Sequence, residues 1–243
     1  MEKLYRKDEV LFAVCWIVIY VVGFGNADSL SASMGLPKAL TAVLGLVLSV
    51  ALYGFIRRKG LTDYYGLCRF AGDMRTFLYF LPLIFLTGMN LYNGMTMNME
   101  PLTAVLYVIS MCWVGCLEEV IFRGLLFKGM CCSGVVSAIV VSSLSFGAGH
   151  IVNVFLGAPV FETLLQLVYA SAIGFCYTAI FYVGGSLLPC ILSHAVFNSL
   201  SAFAVEPSDA QHVLFTLIHT VVGVGYGVWL LHSGRRTPGQ PAD

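Results

Sequence analysis

The chain has 243 residues, of which 58% are hydrophobic and only 11% charged, and its mean hydropathy is +0.86. A soluble domain is usually about one quarter charged, so this composition excludes one and indicates an all-α polytopic membrane protein. The formal net charge of zero hides a segregation of charge along the chain, and no nucleic-acid partner is expected.

Windows of about 20 apolar residues give eight candidate spans: 9–25, 37–56, 76–92, 102–128, 134–157, 163–183, 186–204 and 211–231. They predict a bundle of about eight transmembrane helices forming a single integral-membrane domain over 1–243. Lys3, Arg6 and Lys7 precede the first span, which reads as an uncleaved signal anchor rather than a cleaved signal peptide. Arg57-Arg58-Lys59 end the second, and Arg69 and Arg75 precede the third. Arg123 and Lys128 lie at the end of the fourth, and Arg235-Arg236 follow the eighth. The connections 26–36, 93–101, 158–162 and 205–210 have no lysine or arginine. With eight helices every basic cluster falls on one side, so by the positive-inside rule both termini are cytoplasmic. The short loops suggest a bacterial cytoplasmic membrane.

The eight cysteines form no CxxC pair, which argues against a zinc ribbon or redox motif and for reduced thiols used as small apolar residues. In the last span Gly223, Gly225 and Gly227 allow close helix contact, within the bundle or between the two copies of a homodimer. The bilayer itself is the other expected partner.

Glu118 and Glu119 are the only ones of the 13 acidic residues that lie deep in an apolar run. A charge at the centre of a membrane helix costs roughly 2.5–3.5 kcal/mol on insertion scales, so such residues point to function. Arg123 is four residues after Glu119, on the same helical face, and an ion pair between them leaves Glu118 free for chemistry. His150 on the fifth span, and His194 with Asn198 one turn later on the seventh, are the polar groups available to meet them. Buried polar groups without water need one another and should converge. A carboxylate with a histidine can hold and deprotonate a water, and a histidine with an asparagine amide can donate to an oxyanion. The same residues could instead ligate a metal or relay protons in a transporter. No HExxH is present, and the spans lack the pattern of inverted repeats and broken helices that marks transporters.

Three ordered motifs carry a resemblance. Glu118-Glu119-Val-Ile-Phe-Arg123 resembles an EExxxR motif, Phe146-Gly-Ala-Gly-His150 an FxxxH motif, and His194-Ala-Val-Phe-Asn198 an HxxxN motif. Together, within 102–204, they are similar to the CAAX-protease and bacteriocin-processing family of intramembrane proteases, which includes abortive-infection-type proteins. The resemblance implies that Glu118 is a general base assisted by His150, and that His194 and Asn198 form an oxyanion site. It further implies that Glu119 and Arg123 orient the glutamate helix and that Phe146 packs beside the site. If a divalent metal such as zinc takes part, Glu118, His150 and His194 are its expected ligands.

The function so implied is an intramembrane endopeptidase acting on a peptide or membrane-protein tail at the cytoplasmic face, with a prenylated substrate disfavoured. The alternative is a non-proteolytic membrane regulatory or bacteriocin-immunity protein acting by binding. At 1.5 Å per residue Glu118 lies about 15 Å and His194 about 12 Å from the cytoplasmic boundary, but His150 about 24 Å. The three meet only if the fifth span starts late, tilts, or follows an irregular segment at 131–134. The cavity between them is expected to open to the cytoplasm.

Overall fold

A computed structural model describes residues 1–70, 80–97 and 99–233. Within them the chain is helical: α1 (Glu2–Lys7), α2 (Glu9–Ser33), α3 (Ala39–Arg58), α4 (Leu81–Gly88), α5 (Pro101–Glu119), α6 (Lys128–Met130), α7 (Val135–Gly149), α8 (Val152–Phe155), α9 (Val160–Gly184), α10 (Leu188–Ser201) and α11 (Asp209–Ser233). The only extended pairing among the described residues is an isolated bridge between Met95 and Ala204. The all-α polytopic expectation holds.

Among the described residues six helical stretches are long and apolar enough to cross a bilayer: Glu9–Ser33, Ala39–Arg58, Pro101–Ser133, Val135–Phe155, Val160–Gly184 and Asp209–Ser233. The third and seventh candidate spans are shorter. The third appears as the helical stretch Leu81–Leu91, with 76–79 outside the described residues. The seventh is α10, whose 14 residues rise only about 21 Å at 1.5 Å per residue, short of a hydrocarbon core of about 30 Å.

The spans are apolar on all sides, as expected of helices that face lipid on one side and one another on the other. On α2, Phe12, Trp16, Tyr20 and Phe24 recur every four residues and are buried, whereas Val14, Val18 and Val22 are exposed. This packing makes α2 part of the bundle. At the centre stands the continuation of α5. Beyond Glu119 the helix widens into a π-helical segment, Val120–Phe127, and all eight of its residues are buried. Such widened turns are rare and frequent at functional sites.

The two ends of the bundle differ in charge. Lys3, Arg6, Lys7, Arg57, Arg58, Lys59, Arg69 and Lys128 lie at one end, while Arg75, Arg235 and Arg236 fall outside the described residues. The other end carries Asp28, Glu100, Glu162, Glu206 and Asp209 against a single described lysine, Lys38. That lysine begins α3 and pairs with Asp28 at 2.6 Å. At the basic end the loop after α3 docks on the α9–α10 turn: Leu187 N donates to Gly66 O at 2.8 Å and Ser186 Oγ to Cys68 O at 2.8 Å.

The glycines of α11 serve the bundle. A Cβ on Gly223 would lie 3.1 Å from Ala172 O, and one on Gly227 2.5 Å from the Phe175 ring, so both face α9. Gly225 faces open space. At Gly223 and Gly227 the close contact is made within the bundle.

A similar approach positions the site. A Cβ at Gly115 would stand 2.7 Å from the backbone nitrogen of Ala195 and 2.9 Å from its Cα. Backbone cannot rotate away as a side chain can. Gly115→Ala is therefore expected to push α10 off α5 and displace His194, at a cost of about 1–3 kcal/mol for the overpacking and a larger loss of activity. Thermal unfolding in detergent beside a cleavage assay measures both.

Candidate active site

All three motifs reach the interior, from α5, the end of α7 and the middle of α10. Glu119 and Arg123 are fully buried, and Glu118 and His194 nearly so. Arg123 Nη1 lies 3.2 Å from Glu119 Oε1, the i, i+4 ion pair expected from the spacing, and the widened turn does not break it. The guanidinium also lies 4.1 Å from the centre of the Phe146 ring and 5.7 Å from that of Tyr177, where cation–π attraction is strong because no water competes. Gly174 on α9 makes room for it: a Cβ there would be 2.9 Å from Arg123 Nη2.

His194 joins the two glutamates. Its Nδ1 is 2.8 Å from Glu119 Oε1 and its Nε2 is 3.4 Å from Glu118 Oε2. An arginine-paired carboxylate only accepts, so Nδ1 carries a hydrogen toward Glu119 and Nε2 faces Glu118. This is the base-and-orienter arrangement by which a buried carboxylate fixes an imidazole's tautomer. The other Glu118 oxygen, Oε1, accepts a 2.6 Å hydrogen bond from the hydroxyl of Tyr20 on α2.

Tyr20 is the residue that motif reading missed. Its signal was present: a phenol midway along an apolar span must find a partner for its hydroxyl. Tyr20→Phe removes a donor to a buried carboxylate, an interaction of about 1.5–3 kcal/mol, and with it one of the two contacts that aim Glu118 at the reacting water. The expected result is a kcat about tenfold lower with KM little changed, measurable by steady-state cleavage in detergent.

His150 and Asn198 sit farther out. His150 Nδ1 faces its own helix's Phe146 carbonyl at 3.1 Å. The Phe146 ring stands 5.3 Å from the His150 ring and 5.6 Å from that of His194, packing beside the site as expected. Cys131–Ser133 form a 3-10 turn and Gly134 takes φ of 111°, so α7 does start after an irregular segment. Even so, the residues do not reach one level: Glu118, Glu119 and His194 meet, and His150 makes no hydrogen bond with them. The Asn198 side chain bonds to none of these residues.

Glu118 and His150 nevertheless line one cavity of about 150 Å³, with Tyr20, Asp28, Lys38 and Asn153 around it. Its walls are the second half of α2, the start of α3, α5 with Phe122 of the π-helical segment, the end of α7 and α8. It opens toward the acidic end of the bundle, not toward the end with the basic clusters. The physical cause is packing: Val120 to Phe127 fill the basic half with buried side chains, while Gly25, Gly149 and Thr41 leave space in the other half.

Among the described residues no three His, Cys, Asp or Glu side chains gather as a metal-ligand set. His194 Nδ1 is committed to Glu119, and the Phe146 ring lies beside both imidazoles. Glu118, His150 and His194 are thus not gathered as a zinc site, though His194, with Nδ1 on a carboxylate, keeps Nε2 in the orientation that a metal-binding imidazole uses.

Neither the curated proteins nor the solved structures include a match to this chain. A family model does match, over the stretch that holds all three motifs. Residues 100–200 fit the family described as type II CAAX prenyl endopeptidase Rce1-like, so the resemblance to the CAAX-protease family holds across this part of the chain and supports an endopeptidase role.

Proposed function

We propose that the chain is an intramembrane endopeptidase in which a water activated by Glu118 hydrolyses a peptide bond. The observation that carries this reading is the Glu118 carboxylate, held between the Tyr20 hydroxyl and the His194 imidazole at the inner end of a cavity it shares with His150. Two carboxylates face one guanidinium here, and the His194 ring lies between the two carboxylates. Glu118 accepts the proton of the attacking water, with His150 helping to hold that water. The new C–O bond converts the carbonyl to a tetrahedral oxyanion, which takes hydrogen bonds from His194 and from the Asn198 amide. The C–N bond then breaks, and the proton on Glu118 passes to the leaving nitrogen, so the carboxylate is regenerated. Glu119 and Arg123 hold His194 in place.

Residues 1–243 act as one integral-membrane domain in this reading, since α2 supplies Tyr20 and α5, α7 and α10 supply the motifs. By the positive-inside rule the basic end and both termini are cytoplasmic, in a membrane of bacterial type. The catalytic cavity then opens outward, and a cytoplasmic prenylated tail is the substrate this arrangement fits least. A peptide or membrane-protein segment on the outer side fits best.

The test is peptide mass spectrometry on cells with equal membrane levels of wild type and Glu118→Gln. Products found only with wild type support proteolysis and identify the bond. Identical peptide pools, with the variant keeping its cellular phenotype, would replace this reading with a regulatory or immunity protein that acts by binding.

A further inference from the structure

A second cavity of about 290 Å³ opens at the same acidic end of the bundle. Its partition from the catalytic cavity includes a hydrogen bond: Asn153, which lines the catalytic cavity, donates Nδ2–H to Oε1 of Gln166, which lines this one, at 2.9 Å. Helix α10 serves both spaces, carrying His194 at the catalytic centre and Phe197 in the second cavity.

The chemistry of this space is that of a cation site. Glu162 and Glu206 line it, both exposed to solvent, and neither makes an ion pair among the described residues. Among the described residues no lysine or arginine lines the cavity. Three aromatic residues contribute rings: Tyr169 and Phe197, 6.5 Å apart, and Phe215. Thr216 lines it too, is 6% exposed, and its hydroxyl has no hydrogen-bond partner among the described residues. That hydroxyl is not sealed in the core, so it is open to a ligand in the cavity. Two carboxylates, aromatic faces and an unpaired hydroxyl suit an alkylammonium or guanidinium group. The His219 imidazole does not fill that role, since it turns Nδ1 to Phe215 O at 2.7 Å and Nε2 to Leu86 O at 3.3 Å.

Taking the chain as a peptide endopeptidase, we infer that this second cavity is a substrate subsite for a lysine or arginine side chain of the peptide being cut. The subsite sits beside the catalytic cavity and opens on the same side, so one peptide crosses both, its basic side chain in the carboxylate-rimmed space and its scissile bond near Glu118. The enzyme accordingly selects basic peptides on the side of the membrane that the catalytic cavity faces.

Binding tests this without any need for turnover. Fluorescein-labelled acetyl-Ala-Ala-Lys-Ala-Ala-amide and its norleucine analogue, equal in chain length but uncharged, are titrated by anisotropy against full-length Glu118→Gln protein in detergent at pH 8 and low salt. The lysine peptide is expected to bind at least tenfold more tightly, and Glu162→Gln/Glu206→Gln should erase most of that difference while leaving the norleucine peptide unchanged. Thr216→Val should weaken the lysine peptide a few-fold and leave the analogue alone. Equal affinity for the two peptides, or a lysine preference that survives the double glutamate substitution, overturns the subsite. A lysine preference in a protein that never produces cleaved peptides would leave the subsite standing and remove the endopeptidase reading. Cleavage without the preference would do the reverse.

Discussion

Glu118→Gln is expected to reduce cleavage by about three orders of magnitude while leaving the protein folded and inserted. Removing a positioned general base typically costs between 10² and 10⁴ in rate. Here Glu118 would supply both transfers, taking the proton from water and returning it to the leaving amine, so the upper half of that range applies. The fold should survive because the glutamine oxygen still accepts from Tyr20, 2.6 Å away in the wild type, and its amide can face His194 Nε2. Glu118→Ala would be a poorer choice, since it also empties part of the inner cavity and leaves the Tyr20 hydroxyl unpaired. Quantitative mass spectrometry of products, normalised to membrane levels, is the measurement. A residual rate above one tenth of wild type would remove Glu118 from the role of base and move attention to the His194–Glu119 pair.

Much of this site was legible because lipid makes polar residues conspicuous. Glu118, Glu119, Arg123 and His194 stood out as charges or imidazoles in apolar runs, and the lack of water predicted that they would meet. They do, within 3.4 Å of one another along the chain of contacts from Arg123 to Glu118. The i, i+4 rule also gave the Glu119–Arg123 pair, even though the turn between them is π-helical rather than α-helical. Tyr20 was harder to see, because tyrosines are ordinary in membrane helices and nothing in the sequence says which hydroxyl reaches the centre.

The direction of the cavity was not legible for a different reason. Depth along a span follows from residue counts, but open space depends on which side chains fill each level. Phe122, Leu125 and Phe127 fill the basic half, and the small residues Gly25 and Gly149 thin the other. Nor could residue counts show that α10 would be only 14 residues long, which shortens the seventh candidate span while still bringing His194 to Glu119. Gly115 makes that meeting possible, and its importance depends on Ala195 of another helix, a contact that no local pattern encodes.

Arg123→Met should be strongly destabilising, and a compensating change should largely restore the fold. Arg123 and Glu119 both have fully buried side chains. Removing one partner of a buried ion pair strands the other charge, typically at 3–5 kcal/mol, whereas replacing the whole pair with neutral groups is often close to harmless. The lower part of that range is expected here, because His194 Nδ1 remains 2.8 Å from Glu119 as a donor. The methionine chain keeps much of the arginine's contact with Phe146 but supplies no charge. In Arg123→Met/Glu119→Gln the glutamine oxygen still accepts from His194, no charge is stranded, and the melting temperature in detergent should return most of the way to wild type. Cleavage should not return with it. His194 would then lean on a neutral amide, which stabilises an imidazolium far less than a carboxylate does, and a rate at least tenfold below wild type is expected. The four proteins of this double-mutant cycle separate the two roles of the pair. Stability rescued without activity marks Glu119 and Arg123 as positioning residues for His194. Rescue of both would reduce the pair to a structural brace, and rescue of neither would mean that the guanidinium holds Phe146 and Tyr177 in place through contacts methionine cannot make.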